Sequence, residues 1–249
     1  MPFYKTSQIA RMIGVHPNTI RFYEQMQLLP FIPRASNGYR VFNEFHLLQL
    51  RFLRTAFRAE IISNQLRQEV YEIVKLSATS DIDAALNRTK IYTKHLKEEK
   101  AKAEEAIQIV SNMLEHSNVQ IDTIKHHGRA KVAKILGITI DVLRDWERNG
   151  LLVVPRSTNG YRVYGFNEMN QLKIIRTLRN AHYSRMSILR MLKKLEQGDN
   201  NIRQVIDTPS EEEDIVYATD RYITALTMAE MDALLMVEIL EEMRGLYED

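Results

Sequence analysis

The chain has 249 residues, of which 45% are hydrophobic and 27% charged, which predicts one or two globular domains and excludes a disordered protein. It has no cysteine, which excludes disulfides and thiolate metal sites, and no apolar run near the roughly 18–20 residues of a membrane span. The net charge of +2 conceals basic blocks of +5 over residues 1–60 and +10 over 125–197, and an acidic end of −11 over 207–249. We therefore expect a cytoplasmic protein without membrane contact and with a polyanionic partner.

The first predicted elements form a helix-turn-helix. Ile9 and Ala10 lie on the apolar face of a short helix that Gly14 ends, because glycine favours the left-handed conformation after a helix. A second helix begins near Pro17, which suits the first helical turn, and continues to Glu24. Two short helices joined by a glycine-containing turn are typical of a helix-turn-helix.

A basic hairpin and a third helix follow. Asn37-Gly38 is a strong hairpin-turn signal, and Arg34 and Tyr39-Arg40 flank it. The next amphipathic helix carries Arg54 and Arg58 among its charged residues. A short helix can enter the major groove of DNA while a basic hairpin lies along the backbone, where arginine and tyrosine donate to phosphate. In isolation each element has a purely structural explanation; together they predict double-stranded DNA as the partner.

The same series of elements occurs twice. The segment Ile9–Phe42 recurs as Val132–Tyr164, and the string Asn37–Val41 recurs unchanged as Asn159–Val163. A chance match of this length is implausible, so the chain contains a duplicated module.

Each module is followed by a predicted long helix. Apolar residues at spacings of three and four run through Asp81–His116 and through Ser210–Leu246. Ser210 is the candidate N-cap of the second helix, and Glu211–Glu213 suit a helix N-terminus. Stripes of this kind indicate packing seams rather than ligand boxes.

The strings IGVHPNTIRFYE and NGYRVF resemble the DNA-binding module of the MerR family of bacterial regulators. The resemblance covers about residues 3–70 and 127–195. It implies a mainly α fold with small β-hairpin wings, in which two winged helix-turn-helix domains are each followed by a long helix. The candidate DNA-binding residues of the first copy, in its recognition helix, wing and next helix, are His16, Asn18, Thr19, Arg21, Tyr23, Arg34, Tyr39, Arg40, Arg54 and Arg58.

The second copy departs from the family pattern in its recognition helix. Asp141 stands where the first copy has Asn18; its carboxylate repels phosphate but could accept a bond from a cytosine amino group. The second copy either reads a different half-site or is a mainly structural copy. Its candidate DNA-binding residues are Thr139, Asp141, Arg144, Trp146, Arg156, Tyr161, Arg162, Arg176 and Arg179.

In this family two long helices pair antiparallel to make a dimer. Here the short connector Ser117–His126 lets the second module take the partner's position, and lysines of the first helix could face Glu230, Asp232 and Glu238 of the second. We expect a monomeric pseudo-dimer with an intrachain antiparallel coiled coil; an ordinary homodimer is the alternative. The predicted domains are a first DNA-binding domain at 1–78, a pairing helix at 79–117, a linker at 118–127, a second DNA-binding domain at 128–206 and an acidic pairing helix at 207–249.

The resemblance implies a transcription regulator that distorts promoter DNA for RNA polymerase, and two different modules predict an imperfect or asymmetric site. The alternative is a DNA-architectural or recombination-accessory protein built on the same module. An enzyme is disfavoured, because the chain has no phosphate-binding glycine loop and no catalytic constellation. His126-His127 lacks further ligands, so we expect no metal and no cofactor.

Overall fold

The structure is a computed structural model that describes residues 3–58, 64–116, 127–199, 201–209 and 220–248. The mainly α fold class is confirmed, and β structure within these ranges consists of isolated bridges. No helix in the described ranges is long and apolar enough to cross a membrane. The helices are α1 Thr6–Ile13, α2 Pro17–Gln25, α3 Glu44–Ala56, α4 Asn64–Ala78, α5 Ile82–His116, α6 Arg129–Leu136, α7 Ile140–Arg148, α8 Phe166–Asn180, α9 Arg185–Glu196, α10 Ile202–Asp207 and α11 Tyr222–Glu248.

The chain divides into two compact units, residues 1–98 with 225–249 and residues 99–224. Both boundaries fall inside a helix, so α5 and α11 each contribute residues to both units. The first unit holds α1–α4, the second α6–α10. The five-part domain division remains a prediction. The two compact units each combine a module with parts of α5 and α11 and do not separate these helices from the modules.

The core of the first unit is built from the inward faces of α1–α4. Ile9 and Ile20 anchor α1 and α2 with no exposed surface, and Phe52 does the same for α3. In the second unit Leu143 takes the place of Ile20 on α7, and Ile174, which is 5% exposed, takes that of Phe52 on α8. Burying one such side chain stabilises the fold by about 1.5–3 kcal/mol, so these positions hold each helix-turn-helix together.

The predicted ends of the first two helices are confirmed. Gly14 adopts a left-handed φ of 71°, and its N–H donates to the last carbonyls of α1. Gly137 repeats this after α6 with a φ of 61°. Pro17 is the first residue of α2, as its fixed φ favours.

The N-terminus of α11 differs from the prediction. The predicted start Ser210, the acidic run Glu211–Glu213 and the connector Ser117–His126 lie outside the described residues. Asp220 and Arg221 lie before the helix, so it does not run unbroken from Ser210 to Leu246. The cap comes from α10: the Asp207 carboxylate accepts bonds from the backbone N–H groups of Ile223 (2.9 Å) and Thr224 (3.1 Å) and from the Thr224 hydroxyl (2.6 Å). A cap supplied from another helix leaves no N-cap signal next to the helix in the sequence.

Asp207→Ala is expected to free the first turn of α11 while leaving the rest of the helix intact. Removing a capping carboxylate costs about 0.5–2 kcal/mol, so exchange of the Ile223 and Thr224 amide hydrogens should accelerate by roughly 3- to 30-fold. Hydrogen exchange followed by NMR measures this. Asp199→Ala is the control, because Asp199 caps only the loop at Asn201. Unchanged exchange in Asp207→Ala would contradict the assignment of the cap.

Candidate nucleic-acid interface

The first candidate helix, α2, presents polar residues outward from a buried anchor. The His16 Nδ1 atom caps the helix by accepting a bond from the Asn18 N–H at 3.2 Å. The Asn18 Oδ1 atom accepts from the Arg21 guanidinium at 3.0 Å, and both side chains are exposed. Thr19 is half-buried beside the anchor Ile20. The cap and the side-chain bond hold Arg21 in a fixed place on an open surface.

Helix α7 repeats this arrangement with different chemistry. The Thr139 hydroxyl caps the helix by accepting from the Val142 N–H at 3.2 Å. Arg144 donates to the Asp141 carboxylate at 2.9 Å, where Arg21 donates to an amide oxygen in the first copy. Both residues are exposed. The arginine of the second copy therefore carries its own counter-charge.

Trp146 lies in the core of the second module. Its side chain is 4% exposed, whereas the corresponding Tyr23 is half-buried and lines a surface cavity. An indole ring is larger and more apolar than a phenol, so turning it inward buries more apolar surface. We therefore remove Trp146 from the candidate interface.

A tight loop follows each helix-turn-helix. Residues Arg34 and Arg40 form an antiparallel bridge, the Ala35 N–H donates to the Tyr39 carbonyl at 2.8 Å, and Gly38 has a φ of 80° that favours glycine. Tyr39 projects from the loop with 73% of its surface exposed. A ring held open on a tight turn is positioned to meet a partner rather than the core.

The second loop has the same geometry. Arg156 and Arg162 form its bridge, and the Ser157 N–H donates to the Tyr161 carbonyl at 2.8 Å. The Arg156 guanidinium donates to the Gly160 carbonyl at 2.9 Å, and Tyr161 is 76% exposed. Both copies thus expose a tyrosine at the same place.

A glutamate on each second helix holds the loop arginines, a feature that we call the glutamate clamp. In the first copy the Glu24 carboxylate accepts from Arg40 Nε at 2.6 Å and from Arg34 at 3.3 Å. Both arginines are candidate DNA contacts, and the clamp fixes them against α2. Sequence analysis missed this role, although Glu24 recurs as Glu147 within a basic block.

The clamp of the second copy is more enclosed. Glu147 accepts from Arg162 Nε at 2.6 Å, from Arg129 at 2.8 Å and from the Tyr164 hydroxyl. Its side chain is 6% exposed, against 25% for Glu24. Burial, together with the hydrogen bond to Glu147, raises the pKa of Tyr164, so its hydroxyl stays a donor at neutral pH.

The candidate arginines at the third helix differ between the copies; Arg54 lies on α3, whereas Arg58, predicted to lie on the same helix, comes two residues after its end. Arg54 and Arg58 line a cavity of about 300 Å³ with Tyr23, and Arg58 is ion-paired with Asp232 of α11. The sequence predicted lysines of α5 as partners of Asp232, and the structure places Arg58 there instead. Among those lysines, Lys94 pairs with Glu98 of its own helix.

In the second copy Arg176 is exposed on α8. The Arg179 guanidinium donates to the Tyr183 carbonyl at 2.6 Å, so part of its donor capacity is used within the unit. Burial and the neighbouring Arg185 lower the pKa of Arg179, which stays charged at neutral pH. In the described part of the chain no group of three His, Asp or Glu residues has the arrangement of a metal site; His126 lies outside that part.

The fold and these surfaces define a tandem helix-turn-helix protein, and two family models match it. The model of the MerR family regulatory protein matches residues 5–42, and that of the MerR HTH family regulatory protein matches residues 129–195. Each match falls on one copy of the repeat. The chain therefore carries two tandem modules of the MerR type. Both models describe regulatory proteins, which agrees with the prediction that the chain is not an enzyme.

Individual relatives match parts of the chain. The HTH-type transcriptional regulator ZntR of Escherichia coli (strain K12) is 38% identical over 53 residues, which are 21% of this chain and 38% of ZntR. The ZntR homolog of Haemophilus influenzae is 29% identical over 112 residues, 45% of this chain and 78% of the homolog. Among solved structures, HiNmlR, a MerR family regulator lacking the sensor domain and bound to promoter DNA, is 22% identical, with a TM-score of 0.32 and coverage of 57% of this chain and 99% of that one.

Proposed function

We propose that the protein is a cytoplasmic, sequence-specific DNA-binding transcription regulator that acts with RNA polymerase at a promoter. One observation carries this proposal. In both copies the second helix presents an exposed arginine that donates to a side chain of the same helix, and the adjacent loop exposes a tyrosine. Arginine on a helix donates to guanine edges in the major groove, and a basic loop, the wing of this proposal, contacts phosphate.

We further propose that the chain is a pseudo-dimer in which α5 and α11 pair antiparallel. Contacts within each unit support this. In the first, Arg244 of late α11 lies 3.7 Å from the Asp83 carboxylate of early α5. In the second, the hydroxyl of Tyr222, the first residue of α11, donates to Glu99, farther along α5, at 3.4 Å. The two helices meet in opposite order, as an antiparallel pair requires.

A pseudo-dimer of two unlike modules reads an asymmetric site. A homodimer presents identical recognition helices and requires a near-palindrome, whereas α2 and α7 differ at Asn18 and Asp141. Bending or untwisting the DNA between the half-sites costs several kcal/mol, which contacts from both modules offset. The operator we expect is therefore two different half-sites that are bound by one chain.

Selection of bound sites from random oligonucleotides, followed by sedimentation of the protein–DNA complex, tests the proposal. We expect one asymmetric consensus, one chain per site, and altered transcription from a promoter that carries the site in a reconstituted assay. A strict palindrome bound by two chains would overturn the pseudo-dimer. A defined site without any effect on transcription would favour the architectural function instead.

Asn18 of α2 and Asp141 of α7 accept the bond of the exposed arginine in each copy, and exchanging the two residue types should change DNA affinity in opposite directions. Asp141→Asn is expected to strengthen binding about three- to tenfold, because it removes a negative charge that faces phosphate and leaves Arg144 a neutral acceptor. Asn18→Asp should weaken binding by a similar factor. Fluorescence anisotropy over a range of salt concentrations measures both changes. The same sign of change in both variants would show that one of the two helices does not face the DNA.

A further inference from the structure

A cavity of about 580 Å³ lies between α9 and α10, wholly within the second unit. Small-molecule sites occupy about 300–1,000 Å³, so the cavity is large enough for a metabolite. Its described lining contains none of the candidate DNA-binding residues. The residues that set its chemistry are Met186, Leu189, Arg190, Lys193, Lys194 and Val205.

One side of the cavity is cationic. Lys193 and Lys194 lie in the last turn of α9, and both side chains are exposed. Among the residues that the structure describes, no acceptor lies within hydrogen-bonding distance of either ammonium group. The carboxylate in the described lining belongs to Asp199, which accepts the N–H of Asn201 at 3.0 Å. Cationic groups outnumber the carboxylate, so the cavity attracts an anion.

The lining also contains apolar side chains, although Gln204 makes the α10 wall partly polar. Met186 is 51% exposed at its edge, Leu189 is half-buried, and the buried Val205 lies on the α10 side. A DNA phosphate is bound by an open cationic surface and gains nothing from an apolar wall in a concave site. A small molecule with an anionic group on an apolar body matches both the lysines and the apolar part of the lining.

We propose that this cavity binds one small organic anion, a carboxylate, sulfonate or phosphate ester on an apolar body, as the effector of the protein. The effector role rests on the proposed function; the binding itself does not. In the first copy, at the offset that relates Tyr39 to Tyr161, Tyr71 and Glu72 occupy the places of Lys193 and Lys194. The cationic side is therefore particular to the second copy, and each chain binds one anion.

Arg190 links the cavity to the start of α11. It lines the cavity, and its guanidinium donates to the carbonyls of Val205 (3.1 Å), Ile206 (3.1 Å) and Asp220 (3.0 Å). Asp207, next to Ile206, caps α11. A ligand beside Arg190 thus acts on the bonds that place the first turn of a pairing helix, which gives binding a route to the DNA interface.

Titration of the full chain with 1-anilinonaphthalene-8-sulfonate, an aromatic sulfonate that fluoresces in apolar sites, tests the binding. We expect one site per chain. Lys193→Gln combined with Lys194→Gln should weaken it at least about tenfold, because charge-assisted hydrogen bonds to the anion are lost. Lys90→Gln, on α5 and outside the cavity, is the matched control and should bind as the unchanged protein does. Circular dichroism verifies that all variants fold.

Competition separates the ligand classes. Octanoate should displace the dye, whereas inorganic phosphate at the same concentration should not. Equal dye binding in the double variant, or equal displacement by phosphate, would overturn the proposal. Weaker DNA binding in the double variant with unchanged dye binding would overturn it too, because the lysines would then serve DNA. If the dye binds as expected and the protein binds no DNA, the proposed function fails while the anion site stands.

Discussion

Arg21→Ala is expected to weaken binding to the selected DNA site by about 10- to 100-fold, and Arg144→Ala by less. An arginine that donates to a base is worth about 1–3 kcal/mol. Arg21 is held by the neutral Asn18 amide, whereas Arg144 is paired with the Asp141 carboxylate at 2.9 Å. Part of the positive charge of Arg144 is therefore neutralised before DNA arrives. Fluorescence anisotropy with the selected site and with sites altered in either half measures the two losses separately.

Lys90→Ala, on the exposed surface of α5, controls for the loss of a positive charge anywhere in the chain. It should leave the affinity within about twofold, because a distant exposed charge is screened by salt. Each arginine variant should also relax the base preference in one half-site only. A larger loss for Arg144→Ala than for Arg21→Ala, or relaxed preference in both halves by one variant, would contradict the assignment of the modules.

The second large effect concerns stability. Glu147→Ala should lower the free energy of unfolding of the second unit by about 3 kcal/mol, because it leaves Arg129 and Arg162 without their shared acceptor in a site where the glutamate side chain is 6% exposed. Glu24→Ala should cost the first unit only about 1 kcal/mol, since that clamp is more open to water. Urea unfolding followed by the emission of Trp146, the single tryptophan of the chain, reports on the second unit.

Two variants make this measurement specific. Glu147→Gln keeps an acceptor for the Tyr164 hydroxyl and should recover part of the loss. Glu24→Ala should leave the Trp146 transition within about 0.5 kcal/mol, because Glu24 and Trp146 belong to different units and share no hydrogen-bond partner among the described residues. An equal loss from Glu147→Ala and Glu24→Ala in the Trp146 transition would contradict the clamp as the cause.

Local signals in the sequence predicted the helix-turn-helix elements. Gly14 ended α1 and Pro17 began α2 as expected, because each acts through its own backbone geometry. Because the module is repeated, the same glycine and turn signals occur a second time. The mainly α fold and the two modules could therefore be predicted from residues that are near each other in the chain.

Features that depend on distant residues could not be predicted in this way. The N-terminus of α11 is capped by Asp207, across residues that separate the two helices in the sequence. The partner of Asp232 is Arg58, 174 positions away, and the clamp at Glu147 draws on three separate segments. Trp146 was predicted to lie at the interface because it aligns with Tyr23, but the alignment does not show whether the ring points to the core or to solvent. Packing decides these contacts, and single-sequence patterns carry no signal for them.

The division of α5 and α11 between the two units has a consequence for how the chain is made. The first unit needs residues 225–249, which leave the ribosome only after the whole second unit, although its other residues are synthesised first. Domains usually fold as they emerge, N-terminal part first. Here the first module cannot complete its packing until residues 225–249 have been synthesised, and during that interval the surface that later receives Asp232 stays uncovered. A chain that ended after the second module would therefore leave both units incomplete.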